Sequence, residues 1–149
     1  MIALGGDHAG FGLKGEIKAF LDELGVGYRD YGVFSEERCD YPEYALAAAR
    51  AVAGGECEKG ILFCGTGVGI SIAANKVRGI RCAVCGDPCS AQLSRRHNDA
   101  NMLALGGRII GPELARMIVK AWLDAGFEGG RHAERVAMIT EIENNNQLT

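Results

Sequence analysis

The stretch at residues 61–71 combines a thiol with a run of glycines in a way that could do chemistry. It opens with an apolar run from Ile61 to Cys64, which is typical of a buried strand. Glycines at 65, 67 and 69 follow, and the chain then continues in a helical pattern. Such a turn leaves backbone N–H groups open to an anion, and a helix N-terminus adds about half a positive charge. A thiol beside it is expected to have a lowered pKa, so Cys64 is a candidate base or nucleophile.

The residues of this loop also have a purely structural interpretation. A lone Cys64 would more often be a small buried apolar side chain, and its glycine context is what favours a functional role. Thr66 could cap the following helix, or its hydroxyl could bind a substrate oxygen. One side chain can do both, so both interpretations of Thr66 stay open.

Two further pairs of polar residues are candidates for the same site. Asp7 and His8 follow the first predicted strand, and they form either a capping pair in a turn or ligands for a polar substrate. His97 and Asn98 form either the solvated end of a helix or an acid and an amide donor.

Arg131 and Arg135 are spaced four residues apart in a predicted helix. Like charges at this spacing repel by a few tenths of a kcal/mol. An anion bound between them would remove that repulsion, which makes the pair a candidate anion site. The alternative is an ordinary surface helix.

Other motifs fit less well. The glycines miss the dinucleotide fingerprint because residue 70 is isoleucine, although Asp87 about 20 residues further on keeps a nicotinamide site open. Cys82 and Cys85 fall in a predicted strand, where residues three apart point to opposite faces about 10 Å apart. One metal ion cannot bridge them, so we predict no metal site there. Cys64 also lacks the arginine six residues later that a phosphatase-type loop needs.

The elements that must position these residues alternate along the chain. Strands are predicted at 1–6, 26–31, 61–64, 80–85 and 102–105, and helices at 13–24, 43–53, 70–77, 88–96, 112–125 and 131–142, with residues 143–149 as a frayed tail. This alternation predicts an α/β fold with a parallel sheet covered on both faces. Ligands of such sheets bind beyond the carboxyl ends of the strands, where we expect the site.

Length and charge favour a single globular domain over a nucleic-acid-binding or membrane-spanning protein. A chain of 149 residues suits one domain, spanning 1–149, with a real core. A formal charge of −3 argues against a general nucleic-acid binder, and no apolar run approaches the ~20 residues of a membrane span. The N-terminus does not resemble a signal peptide, so we expect a cytoplasmic protein whose six cysteines are reduced.

Several short motifs occur together, in order, along nearly the whole chain. They are Gly6-Asp7-His8-Ala9-Gly10, Asp40-Tyr41-Pro42, Cys64-Gly65-Thr66-Gly67-Val68-Gly69, Ala73-Ala74-Asn75-Lys76, Arg96-His97-Asn98, Gly107-Arg108, and Arg131-His132 followed by Arg135. In this combination the chain closely resembles the type B ribose-5-phosphate isomerases, whose family also holds allose- and galactose-6-phosphate isomerases. The resemblance implies a Rossmann-like three-layer α/β/α sandwich with a five-stranded parallel sheet. It also implies metal-free aldose–ketose isomerisation of a sugar phosphate, without a cofactor, by a homodimer or a dimer of dimers.

The resemblance gives each matching residue a role. Cys64 would be the base that moves a proton between C2 and C1, Thr66 would help protons move between O1 and O2, and His97 would open the sugar ring. The other matching residues would bind the substrate: Asp7 at the ring, Tyr41 in the pocket wall, Gly65, Gly67, Val68 and Gly69 around the enediolate, Asn98 at the enediolate or a hydroxyl, and His8, Arg108, Arg131 and Arg135 at the phosphate. The resemblance further suggests that Cys64 and His97 of one site come from different subunits.

Two alternatives stay open at this point. Allose 6-phosphate or galactose 6-phosphate could be the preferred substrate, since five- and six-carbon sugars differ by one CHOH group. A non-catalytic nucleotide- or sugar-phosphate-binding module would instead bind without turnover, although the pairing of Cys64 with Thr66 argues against it.

Overall fold

Five strands and six helices alternate in the computed structural model, which describes residues 1–146. The strands are β1 (Ile2–Gly6), β2 (Tyr28–Asp30), β3 (Lys59–Cys64), β4 (Cys82–Val84) and β5 (Met102–Gly106). The helices are α1 (Phe11–Leu24), α2 (Tyr41–Ala53), α3 (Val68–Ala74), α4 (Pro88–Asn98), α5 (Pro112–Asp124) and α6 (Arg131–Asn145). Every predicted element is present. Within the described residues, no helix combines the length and the apolar character needed to cross a bilayer.

All five strands pair in parallel, in the order β2-β1-β3-β5-β4. The chain moves outwards from β1 to β2 and then returns to the other side of β1 to form β3. Ligands of open α/β sheets bind at such a reversal, in the crevice beyond the carboxyl ends of the two strands. Asp7 directly follows β1 and Cys64 ends β3, so both residues lie at this crevice.

Buried side chains of the strands alternate between the two faces of the sheet. On β3, Ile61 and Phe63 join a cluster formed with α1, α4 and α5, whose largest member is Trp122. Leu62 and Cys64 join the opposite cluster, which is formed with α2 and α3. Helices therefore cover both faces, and the predicted three-layer α/β/α sandwich is confirmed.

The C-terminal helix is longer than the sequence pattern predicts. α6 continues to Asn145, so the prediction of fraying from residue 143 is wrong for its first residues. The reason is a long-range contact, because the Gly79 N–H donates a hydrogen bond to Glu143 Oε1 at 3.0 Å. Residues 147–149 of the predicted tail lie outside the described residues.

Candidate active site

The glycine loop between β3 and α3 encloses the sulfur of Cys64. The loop turns at Gly67, whose φ of 81° is in the left-handed region that favours glycine. This turn aims the Gly67 N–H at Cys64 Sγ, with a nitrogen–sulfur distance of 3.1 Å. Cys64 is only 4% exposed. The sulfur therefore sits in the turn with a backbone donor directed at it.

Thr66 closes the outer side of the same loop. Its Oγ1 accepts a hydrogen bond from the Val68 N–H at 3.2 Å, while Gly67 is the N-cap residue of α3. The prediction that Thr66 caps the helix is therefore wrong, since Gly67 is the N-cap residue. The Thr66 hydroxyl instead stabilises a small turn just before the helix. Thr66 is exposed, and its O–H hydrogen is not used by the bond from Val68.

The turn after β1 places Asp7 and His8 opposite the glycine loop. Asp7 is buried, and its Oδ1 accepts hydrogen bonds from the N–H groups of Ala9 and Gly10 at 3.0 and 3.1 Å. His8 Nδ1 lies 3.2 Å from the Cys39 N–H. A backbone N–H can only donate, so Nδ1 is the acceptor and a neutral His8 ring carries its proton on Nε2. Asp7 thus shapes the turn, and His8 keeps one N–H for a ligand.

A cavity of about 750 Å³ opens between these two loops. Its wall is formed by Asp7, His8, Ala9, Arg38, Cys39, Asp40, Tyr41, Cys64, Gly65, Thr66, Val68, Gly69 and Arg108. The Tyr41 ring lies over Gly69, where an added Cβ would stand only 2.7 Å from its Cζ. The Arg108 guanidinium lies over Gly65, 3.3 Å from the position of an added Cβ. Nine of the predicted site residues meet in this wall.

His97 and Asn98 lie near the opposite end of the sheet. They belong to the last turn of α4. Arg81 directly precedes β4, and its Nε donates to the carbonyl oxygen of Asn98 at 3.1 Å. Strand pairing puts Cys64 four residues further along the sheet than Cys82, which is about 13 Å. Within one chain, His97 and Asn98 are therefore not part of the cavity wall around Cys64.

Arg131 and Arg135 lie on α6, which packs against α4, and both are exposed. Between them His132 is buried, and its ring stacks on that of His97 with centroids 4.2 Å apart and planes inclined by 7°. Burial, together with the neighbouring His97 and Arg131, lowers the pKa of His132 below its ordinary value. We refer to His97, Asn98, Arg131 and Arg135 as the α4–α6 surface.

A protein-family model described as Ribose/Galactose Isomerase matches residues 2–139. The chain belongs to the ribose/galactose isomerase family. The family indicated by the sequence motifs is thereby confirmed, and with it the class of aldose–ketose isomerases. The match spans both the glycine loop and the α4–α6 surface.

Individual relatives of this isomerase are similar over nearly their whole length. Ribose-5-phosphate isomerase B of Escherichia coli (strain K12) is 64% identical over 142 residues, which cover 95% of each chain. D-erythrulose-4-phosphate isomerase of Pectobacterium atrosepticum is 48% identical and covers 95% of this chain and 94% of its own. The solved structure of Clostridium thermocellum ribose-5-phosphate isomerase B has a TM-score of 0.96 at 54% identity, covering 97% of this chain and 98% of its own.

Four residues of the cavity wall of this isomerase were not among the predicted site residues: Ala9, in the turn after β1, and three residues of a second segment. Arg38, Cys39 and Asp40 line the cavity from the irregular segment between β2 and α2. No periodicity marks side chains in such a segment, and Tyr41 was predicted only through the family resemblance of the motif Asp40-Tyr41-Pro42. Arg38 adds a cation to a wall that already holds Arg108.

Lys14 anchors the segment that carries these residues. Its side chain is 1% exposed, and its Nζ donates to Asp30 Oδ1 at 2.8 Å and to the Val33 carbonyl oxygen at 2.6 Å. Burial lowers the pKa of Lys14 although Asp30 opposes the shift. Burial also acts to raise the pKa of Asp30, but hydrogen bonds from Lys14, the Gly32 N–H and Lys18 outweigh it and hold that pKa below its ordinary value. The hydropathy pattern hides this ion pair, because a lysine is normally assigned to the surface.

Cys82, which begins β4, and Cys85, which follows it, lie on opposite sides of the sheet, as their spacing predicts. Cys82 packs against the cluster formed with α2 and α3, whereas Cys85 belongs to the cluster formed with α1, α4 and α5. Burial raises the pKa of Cys82 to about 12 and that of Cys85 to about 11. Both are therefore neutral thiols at physiological pH, and it is their position on opposite sides of the sheet that keeps them from sharing one metal ion.

Proposed function

We propose that this isomerase interconverts ribose 5-phosphate and ribulose 5-phosphate through an enediolate, with Cys64 as the base. The observation that carries the proposal is the sulfur at the carboxyl end of β3, which lines the cavity and accepts the Gly67 N–H at 3.1 Å. Removing a hydrogen α to a carbonyl needs a positioned base of this kind. The relative named for ribose 5-phosphate, at 64% identity, supports the substrate.

The proposed step moves one proton between neighbouring carbons. The Cys64 thiolate takes the proton from C2 of the open-chain aldose, the C–H electrons form a C1–C2 double bond, and O1 receives the negative charge. One proton then passes from O2 to O1, and the thiol returns its proton to C1, which leaves the ketone at C2. No electrons leave the sugar, so the step needs no redox cofactor.

Thr66 is placed to carry the proton between the two oxygens. Its Oγ1 already accepts the Val68 N–H, so its own hydrogen is free to donate into the cavity. Backbone N–H groups of the glycine loop, starting at Gly65, would stabilise the enediolate oxygen. Asp7 has committed Oδ1 to two backbone N–H groups, which leaves Oδ2 for a hydroxyl of the sugar.

The remaining roles require a second copy of the chain. We propose a homodimer in which the α4–α6 surface of one subunit closes the cavity of the other. The edge strand β4 and the adjacent α3 expose the apolar side chains of Val68, Ile72 and Val84, which suit an interface between subunits. In a two-fold dimer each subunit would then complete the site of its partner.

The α4–α6 surface supplies the groups that the cavity lacks. His97 would protonate and deprotonate the ring oxygens to open the sugar, and Asn98 would donate to the enediolate or a hydroxyl. Arg131 and Arg135 would bind the phosphate together with His8 and Arg108 from the cavity wall. The phosphate would then orient the sugar over the sulfur.

The names of the relatives differ in the length of the sugar: one is a ribose-5-phosphate isomerase and another a D-erythrulose-4-phosphate isomerase. Isomerisation of ribose 5-phosphate, allose 6-phosphate, galactose 6-phosphate and D-erythrulose 4-phosphate should be compared, with a Cys64→Ala protein as the blank. We expect the highest kcat/KM for ribose 5-phosphate. A higher value for another sugar would reassign the substrate, and binding without turnover of any of them would indicate a non-catalytic module.

We also propose that the enzyme works in the cytoplasm. All six cysteines are free thiols in the structure. Free thiols persist in reducing compartments, which supports this location.

A further inference from the structure

Three metal-binding side chains meet where α4 and α6 pack together. His97 lies in the last turn of α4, His132 in the first turn of α6, and Glu128 in the loop before α6. One ring nitrogen of each histidine and one carboxylate oxygen all lie within 4.8 Å of one another. Two imidazoles and one carboxylate are a common set of protein ligands for zinc in sites that keep an open position.

The backbone around Glu128 holds this cluster together. The Glu128 N–H donates to the carbonyl oxygen of Arg96 at 3.0 Å, and the His132 N–H donates to that of Gly129 at 3.1 Å. Arg96 Nε donates to Glu128 Oε1 at 2.6 Å, while Oε2 lies 3.6 Å from His132 Nε2. A ligating carboxylate is usually hydrogen-bonded in this way, so Oε2 can bind a metal while Oε1 stays on Arg96.

The stacking of the two rings determines what an ion would change. Parallel rings do not direct their nitrogen lone pairs at one point, and a tetrahedral zinc ion needs donors about 3.3 Å apart, given bonds of about 2.0 Å. His132 is buried, whereas His97 is half-buried, so His97 is the ring with room to turn. Binding of an ion would therefore move the His97 ring out of its stacked position.

We propose that His97, Glu128 and His132 form a site for a divalent transition-metal ion, with zinc as the reference ion, and that its occupancy inhibits the isomerase. The inhibition rests on the proposed role of His97, whereas the binding does not. Imidazole ligands select zinc and its neighbours over magnesium. Arg96, which donates to Glu128, and Arg131, whose charge acts on His132, oppose a bound cation, so we expect weaker binding than at a structural zinc site.

Calorimetric titration with zinc tests the binding in three proteins: wild type, Glu128→Gln and Glu134→Gln. Glu134 is an exposed residue in the first turn of α6 outside the cluster, so its variant controls for the lost charge. All three proteins keep every cysteine, so zinc bound by thiols is the same in each. We expect Glu128→Gln to weaken one site at least about tenfold and Glu134→Gln to leave it unchanged. Equal affinities in all three proteins would overturn the proposal.

Initial rates with ribose 5-phosphate test the inhibition in the same proteins. After chelation all three should be equally active, and zinc should inhibit wild type and Glu134→Gln at concentrations about tenfold lower than Glu128→Gln. Zinc that binds at the cluster without slowing the enzyme would overturn the inhibitory role. A chelated wild type without isomerase activity would count against the proposed function instead, and the titration would still decide the metal site.

Discussion

The cavity around Cys64 and the α4–α6 surface carry the two halves of the proposed site, and they are built differently. In the cavity, backbone groups already hold two side chains of the site: the Gly67 N–H bonds to the Cys64 sulfur, and the Cys39 N–H bonds to the ring of His8. On the α4–α6 surface, Arg131 and Arg135 are exposed like charges on one helix.

This difference separates chemistry from binding. A prearranged donor acts on charge that develops during the reaction, so changes at Cys64 and Thr66 should lower kcat. Arg131 and Arg135 are exposed like charges whose repulsion is relieved only when an anion arrives, so changes at these two residues should raise KM. The segment that forms the outer wall of the cavity adds a third test, because it depends on the buried pair of Lys14 and Asp30.

The largest effect is expected for Cys64→Ser. A serine keeps the shape of the side chain, but its hydroxyl does not ionise near neutral pH, so kcat should fall by about 10³-fold. Ribose 5-phosphate should still raise the melting temperature of the variant, since the binding groups remain. Steady-state kinetics and a thermal-shift titration measure the two properties.

Cys89→Ser is the matched control for this substitution, because Cys89 is exposed and is not part of the cavity wall. Its kcat should equal that of the wild type. A Cys64→Ser enzyme that turns over at a near wild-type rate would remove Cys64 from the mechanism.

Asp30→Asn should lower the free energy of unfolding by about 3 kcal/mol at pH 7, because it leaves Lys14 buried without its charged partner. The pKa of Asp30 lies below its ordinary value in the folded protein, so its carboxylate contributes stability above pH ~4. That contribution is lost as the pH falls through the folded-state pKa. Urea unfolding at pH 7 and at pH 3 should therefore show a smaller difference from wild type at pH 3.

Glu56→Gln provides the comparison for Asp30→Asn, since Glu56 and its partner Arg29 form an ion pair that is half-exposed on both sides. Removing it should change stability by no more than about 0.5 kcal/mol. A difference for Asp30→Asn that is equally large at pH 7 and pH 3 would contradict the electrostatic explanation.

Arg131→Ala and Arg135→Ala should each raise KM for ribose 5-phosphate about tenfold, or about 1.4 kcal/mol, with a smaller change in kcat. Stability should stay the same or rise by a few tenths of a kcal/mol, because a repulsion is removed. Arg116→Ala on α5, where Arg116 pairs with Glu23, is the control and should leave KM unchanged. Wild-type KM values in both α6 variants would return the helix to an ordinary surface.

Residues beside glycine turns were the part of the site that the sequence predicted well. Asp7 follows a continuous apolar run and Cys64 ends another, and such runs are typical of buried parallel strands. The carboxyl ends of parallel strands lie at the same edge of the sheet, so the two residues were expected to be close. The strand order was beyond the sequence, because β4 and β5 are both short apolar runs and nothing local places β5 between β3 and β4. Contacts between distant segments were also hidden, such as that of Glu143 with Gly79, which extends α6.

His97 shows both a feature that the sequence predicted and one that it did not. Its neighbours along the chain predicted a helix end, and α4 does end at Asn98. Its distance from Cys64 follows from the direction of α4, which runs back along the sheet between two parallel strands. The alternation of strands and helices implies this direction, whereas the short motif around His97 does not. In the proposed dimer a second subunit brings the two residues together, and contacts between subunits leave no local pattern in the sequence.

Complementation between two inactive variants tests the shared site most directly. Cys64→Ala and His97→Asn proteins are each expected to be inactive. They are unfolded, mixed and refolded together, with each refolded alone as a control. Under random pairing about half of the dimers are mixed, and each mixed dimer holds one site with both lesions and one with neither. About a quarter of the wild-type activity should therefore return. No recovery, in a mixture that native mass spectrometry shows to contain mixed dimers, would mean that the site is not shared in this way.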